Sequence, residues 1–227
     1  MFLFLFACTA VQDNYTEQVA AEGIRTLSAD IGDGDLHYDA RPGDFDVRWT
    51  SEGWGRDEEV AAQRQEGNRW EVAREGSALS LYARSDTGGS VDFSVDGPAQ
   101  VFTVLSLQGG DAYLAGLSGF HEVRADDIVA EDMIGGAQLI ADGWVTADLS
   151  PNPGDVVLID ATNVTLELPP GRYDLAVWAE PESVLEIDDF GFHHTAFGEG
   201  TFAGISGDGA VRVDVYATGN VTIRQGW

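Results

Sequence analysis

Short runs of alternating apolar and polar residues, each opened by Gly, Asp or Asn, constrain this chain more than any other feature. From Gly143 to Trp178 the text GWVTADLSPNPGDVVLIDATNVTLELPPGRYDLAVW leaves no room for a helix with one apolar stripe. Period-two alternation sends successive side chains to opposite faces of a strand, one buried and one wet. The same texture precedes this stretch in IRTLSADI, DLHYDA and FDVRW, where Leu36 and Tyr38, and then Phe45, Val47 and Trp49, share a face. It continues in RWEVA, ALSLYAR, SVDFSV and QVFTVLSL. One segment departs from it. Residues 57–64, DEEVAAQR, carry acids first and an arginine last, as a helix dipole favours, and predict a short helix.

From residue 111 onward the strand-opening residues recur quasi-periodically. Asp111, Asp127, Gly143, Asn163, Ser183 and Asn220 are separated by steps of 16, 16, 20, 20 and 37. Hairpin meanders repeat every 8 to 12 residues or so, whereas stacked coils repeat at about 20. The rhythm therefore predicts an all-β, single-stranded β-solenoid (β-helix) of stacked short rungs, right-handed by the crossover preference. Val164, Leu166 and Leu168 would point inward, as would Tyr173, Leu175 and Val177, and later Val211, Val213 and Val215. Asn163, Thr165, Glu167, Arg212 and Asp214 would point outward. A single coil cannot hide its apolar side; stacking creates one continuous core. An antiparallel β-sandwich uses the same alternation and stays open as the alternative.

Composition bounds the partners. The 39 acids and 12 bases among 227 residues give a net charge of −27. Such a surface repels nucleic acid, which needs clustered cations, so no nucleic-acid partner is expected. The acidity reads as a solvated coat, with divalent-cation sites as the sharper alternative.

The single cysteine excludes an internal disulfide and a cysteine-based zinc site. Cys8 follows MFLFLFA, an apolar run too short to span a bilayer. Leu5-Phe6-Ala7-Cys8 resembles the lipobox of bacterial lipoproteins, although Phe6 is bulky for its position and no Lys or Arg precedes the run. Residues 1–8 are thus expected to be a signal peptide and lipobox, with Cys8 acylated and anchoring the chain to a membrane. Residues 9–22, TAVQDNYTEQVAAE, are polar and are expected to be a flexible tether; residues 23–227 would form the folded domain.

The stretches SLQGGDAYLAGLSGFHEVRADDIVAEDMIGG, LELPPGRYDLAVWAEPESVLEI and GDGAVRVDVYATGNVTIRQ resemble the bacterial putative-adhesin domain. That family is a cell-envelope β-solenoid of unknown function, related to the auto-transporter adhesin head domain. The resemblance spans about residues 23 to 225 and lies in short strands, Gly-Asp or Gly-Asn turns and the Val211 to Tyr216 and Gly219 to Ile223 pattern. Two segments depart from it: DDIVAED lacks the turn glycine, and residues 188–204, DDFGFHHTAFGEGTFAG, exceed a simple corner. The resemblance implies a surface role at the outer membrane or cell surface and brings no catalytic residues.

Candidate chemistry is sparse. Asp188, Asp189, His193 and His194 are close enough in sequence to suggest a transition-metal site or an acid–base pair, against the plainer reading of a polar loop. Asp30, Asp33 and Asp35 in DIGDGD could approach calcium but lack EF-hand spacing, and adjacent acids such as Asp126 and Asp127 would repel across stacked turns without a counter-ion. No other cofactor is expected. Trp144 and Trp178 alternate with inward residues and are candidate outward aromatics for a glycan or a protein partner. Asn163-Val164-Thr165 and Asn220-Val221-Thr222 match a glycosylation sequon but read as turn-then-strand residues. No Gly-x-Ser-x-Gly elbow or phosphate-binding loop is present. These features together predict a non-catalytic cell-envelope lipoprotein with a structural or surface-binding role. The alternatives are a carbohydrate-active enzyme using carboxylates on a β-helix, and a calcium-stabilised surface protein.

Overall fold

The computed structural model describes residues 9–226; Cys8 lies outside them. Along the chain come β1 (Thr9–Val19), β2 (Thr26–Ile31), β3 (Leu36–Ala40) and β4 (Phe45–Gly55), then the helix α1 (Glu58–Glu66). Next are β5 (Asn68–Glu75), β6 (Ala78–Ser85), β7 (Ser90–Gly97), β8 (Phe102–Leu107), β9 (Ala112–Ala115), β10 (His121–Ala125) and β11 (Ile128–Ile134). The remainder are β12 (Ala137–Ala141), β13 (Trp144–Ser150), β14 (Val156–Ala161), β15 (Asn163–Leu168), β16 (Tyr173–Ala179), β17 (Leu185–Ile187), β18 (Phe192–Gly198), β19 (Thr201–Ser206), β20 (Val211–Ala217) and β21 (Val221–Gln225).

These strands make an all-β molecule of two large mixed sheets. The first has ten strands in the order β1-β4-β7-β3-β9-β11-β13-β15-β21-β17; the second has eleven, β18-β19-β16-β20-β14-β12-β10-β8-β2-β6-β5. From β8 to β15 each strand in one sheet is followed by a strand in the other, and strands two apart in sequence pair in parallel. Pairing in register matters because a one-residue slip would turn every apolar side chain to water. Val145, Val164 and Val221 lie in one row, as do Ala147, Leu166 and Ile223, and all six are buried. All nine residues expected to point inward in the later strands are buried.

Chain order and stacking order part at both ends. The β2–β3 turn lies between β6–β7 and β8–β9, and the late β20–β21 turn is inserted between β14–β15 and β16–β17. The 37-residue step therefore contains β17, the antiparallel pair β18 and β19, and β20 before its next opening residue. Antiparallel strands flank both ends: β1 and β4 on the first sheet, and β5 at one end of the second with β19 and β18 at the other.

Two local expectations are corrected and a third is given its bounds. Residues 9–22 are not a tether throughout, because Thr9–Val19 pairs antiparallel with β4 from Thr9↔Gly55 to Val19↔Phe45. The anchoring residues are Tyr15, whose ring stacks 5.5 Å from Trp49, and Val19, which packs on the core. The helix expected near residues 57–64 is present over Glu58–Glu66, and the Asp57 carboxylate caps its start by accepting the Val60 N–H at 3.0 Å. Its backbone lies against Gly53, where a side chain would strike the Ala61 carbonyl. Asp214, placed outward by alternation, is only 6% exposed, since the Arg212 guanidinium bonds its carboxylate at 2.7 Å.

One repeated contact ties the turns together. At the corners that lead into β3, β9, β11, β13, β21 and β17, an Asp or Asn side chain of the neighbouring lane accepts a backbone N–H. Asp92 Oδ1 accepts from Asp35 (3.0 Å), Asp35 Oδ1 from Asp111 (2.9 Å), Asp111 Oδ1 from Asp127 (3.1 Å), and Asp127 Oδ1 from Trp144 (2.6 Å). Gly143 then substitutes its carbonyl, which accepts from Asn163 at 3.1 Å. A Cβ at Gly143 would run into Asp127 Oδ1, so glycine is required there. Beyond it, Asn163 Oδ1 accepts from Asn220 and Asn220 Oδ1 from Val184, both at 3.0 Å.

The four aspartates in this ladder lie on adjacent strands about 4.8 Å apart, and like charges at that spacing repel. Asp127→Asn keeps the accepting oxygen and removes one charge, as Asn163 and Asn220 already do. It should raise unfolding stability by about 0.5–1 kcal/mol at low salt, whereas Asp127→Ala should cost about 1–3 kcal/mol by orphaning the Trp144 N–H. Urea unfolding with unchanged m-values measures both. Equal losses in the two variants would rule out the ladder as described.

Candidate binding surface on the first sheet

Five lanes of the first sheet, β1, β4, β7, β3 and β9, form the floor of an open groove of about 610 Å3. Alternation alone decides which side chains enter it. On β3, Leu36 and Tyr38 are buried and His37 between them faces out; on β9, Ala112 and Leu114 are buried and Tyr113 faces out. Register then places Arg48, Ser94, His37 and Tyr113 side by side in one row across four strands. The His37 and Tyr113 rings stack with centroids 5.9 Å apart and planes 23° apart, and Tyr113 remains 37% exposed.

A second row carries acceptors. Asp35 and Asp92 also line the groove, each using one carboxylate oxygen in the corner ladder and leaving the other for a further donor. Burial pushes the Asp92 carboxyl up; the Asp35 N–H opposes this and the Asp35 charge adds to it. Burial and the nearby Asp111 and Asp35 charges raise the Tyr113 hydroxyl, so it stays protonated at neutral pH. Arg48 is held by Asp96 at 2.6 Å, and Asn14 accepts from the Thr50 hydroxyl at 2.9 Å. The same His37–Tyr113 pair also borders a depression of about 340 Å3 with Asp39, Val129 and Glu131, while Asp35 and Asp92 border a corner depression of about 470 Å3 that includes Trp54. Chemically the surface offers a half-exposed ring flanked by hydroxyl, amide, guanidinium and carboxylate groups.

The residues singled out from sequence do not converge on one site. Trp144, 55% exposed, lies on the first sheet two strands beyond Tyr113, while Trp178, 40% exposed, lies on the second sheet stacked 4.7 Å over Tyr216. Asp188 accepts the Gln225 N–H at 2.9 Å, tying its loop to the end of β21, and Asp189 accepts the Gly191 N–H at 2.8 Å within the loop. His193 falls at the register shift between β18 and β19. Among the described residues no three His, Cys, Asp or Glu side chains gather as a metal-binding group. In DIGDGD, Asp30 turns to Arg84 at 2.7 Å while Asp35 serves the ladder, which separates two of the proposed calcium ligands. No sequence pattern singles out His37, Arg48, Asp92 and Tyr113, because only lateral strand order brings them together.

The fold is similar to that of a solved structure. A putative cell adhesion protein from Clostridium sporogenes aligns over 95% of this chain and 100% of its own, with TM-score 0.50 and 15% identity. A putative adhesin from Bacteroides fragilis aligns over 93% and 97%, with TM-score 0.32 and 9% identity. One from Parabacteroides distasonis aligns over 94% and 97%, with TM-score 0.29 and 10% identity. No protein-family model matches the sequence, and neither does any curated protein.

One buried base sits apart from the groove. His121 on β10 is 1% exposed; its Nδ1 shares a hydrogen with Thr103 Oγ1 at 3.1 Å, and its Nε2 is buried without a partner. Burial lowers its pKa to about 4. Protons therefore bind the unfolded chain first, and stability present above pH 6.5 or so falls as pH drops toward 4, by about 3 kcal/mol in all. Asp126 and Asp148, whose carboxyls are raised by burial and neighbouring acids, act in the opposite sense. His121→Gln should thus lose less stability than the natural chain between pH 7 and 5, measured as the difference between their urea midpoints at each pH. Parallel pH profiles would refute the assignment.

Proposed function

We propose that the chain is a non-catalytic module displayed at the bacterial cell envelope, belonging to the adhesin-like β-solenoids and acting by binding. Its two-strand turns, stacked in parallel around one core, support the solenoid description. The observation that carries the reading is the first-sheet face: an open groove built on stacked turns whose nearest carboxylates, Asp35 and Asp92, already hold backbone N–H groups of adjacent turns. Such carboxylates brace a scaffold and present a fixed surface. The shared fold with a protein described as a putative cell adhesion protein supports the same reading. A net charge of −27 favours neutral or cationic partners, a glycan or a protein, over nucleic acid.

Acylation of Cys8 would tether the module to the membrane, with β1 following at once. Metabolic labelling with an alkyne fatty acid should mark the natural chain and leave Cys8→Ala unlabelled, with the labelled protein open to protease added to intact cells. Label on both proteins removes the anchor. Full protection from protease removes surface display. Calcium is the secondary reading, favoured by the gathering of Asp142, Asp111, Asp127 and Asp35 near Asp126, whose carboxyl is raised by burial and by their charges.

A further inference from the structure

The geometry points to a neutral oligosaccharide as the ligand of the first-sheet groove, with one sugar ring against the exposed aromatic wall of His37 and Tyr113. This inference rests on the surface-binding reading and names its partner class. Three observations meet there. The groove's volume of about 610 Å3 lies inside the 300–1,000 Å3 or so typical of small-ligand sites, and two further depressions share its walls, one at His37 and Tyr113 and one at Asp35 and Asp92. A chain of sugars can therefore continue past one subsite.

The lining also matches sugar chemistry. Each sugar hydroxyl both donates and accepts, and the groove supplies acceptors from Asp35 and Asp92 beside donors from Arg48, Asn14 and Ser94. The apolar face of a pyranose covers an aromatic ring without needing charge, and Tyr113 keeps part of its ring open for that contact. Finally, charge selects among glycans. The single groove arginine is paired with Asp96, and Asp39, Asp35, Asp92 and Asp111 surround the aromatic pair. A uronic or sialic acid would meet these carboxylates with no free cation among the groove-lining residues, whereas a neutral sugar meets only hydrogen-bonding partners.

The test is a printed array of neutral and anionic oligosaccharides and basic peptides, followed by calorimetric titration of any binder. The natural chain should bind neutral sugars. Tyr113→Ala should weaken that affinity about tenfold or more, Tyr113→Phe should stay within about threefold, and Trp144→Ala, outside the groove, should match the natural chain. Preference for anionic sugars or for basic peptides, no array binding, or equal affinity of Tyr113→Ala overturns the proposal; circular dichroism and the urea midpoint confirm that each variant folds. Fluorescent protein applied to bacterial cells separates the two readings. Cell binding that survives Tyr113→Ala keeps the surface role and removes the groove, while absence of cell binding by the natural chain removes the surface role itself.

Discussion

The corner ladder of Asp and Asn side chains is the contact on which the stacking of turns depends. Apolar burial drives one turn onto the next and forbids a one-residue slip, but it is indifferent to a two-residue slip along the strand, which keeps the same face inside. A side-chain oxygen that accepts one specified N–H from the neighbouring turn is not indifferent. Asp92, Asp35, Asp111 and Asp127, and then Asn163 and Asn220, each pin the residue that opens the adjoining first-sheet strand. With that residue pinned, Leu36, Ala112, Ile128 and Val145 fall into one row, all buried. The ladder sets the register, and the register puts the core inside.

This device explains part of the acidity and the strain it brings. Placing a carboxylate at successive corners concentrates charge along one edge, and Asp126, one residue from the ladder, has its carboxyl raised by burial and then by the charges of Asp142, Asp111, Asp127 and Asp35. On the outer face a second group, Asp148 with Glu167, Asp132 and Glu131, repels in the same way. Where arginines are present they are spent locally, Arg48 and Arg41 on Asp96, Arg84 on Asp30 and Arg212 on Asp214. Solvent screens most of these exposed charges, so the molecule tolerates them. The change to Asn at positions 163 and 220 shows the same bond made without charge.

Much of this was legible from residue order. The strand-opening positions whose spacing suggested stacked coils include Asp111, Asp127, Asn163 and Asn220, the same side chains that form the ladder, and the inward valines and leucines follow from alternation. What alternation lacks is lateral order. Nothing local tells Asn220 to sit beside Asn163 rather than beyond Ser183, because that depends on β20–β21 sliding between two earlier turns. Nor does a polar run such as TAVQDNYTEQV announce that Tyr15 will stack on Trp49 from across 34 positions. The groove was hidden for this reason: the Trp residues that stand out in sequence are separated on opposite sheets, while His37 and Tyr113 are inconspicuous until β3 and β9 become neighbours.

The same reshuffling accounts for where the groove forms. In the middle of the stack each strand neighbours its immediate successors, and the outer face repeats one turn's chemistry with small variations. At the end where β2–β3 lies inside β6–β7 and the antiparallel strands β4 and β1 are added, five adjacent lanes come from residues 9–19, 45–55, 90–97, 36–40 and 112–115. Their outward residues vary independently, so amide, guanidinium, carboxylate, imidazole and phenol can meet within one row or the next. Regular repetition builds a rigid wall but a monotonous one. Breaking the chain order at the end of the stack supplies chemical variety on a backbone whose spacing the ladder still fixes, and a recognition surface needs both.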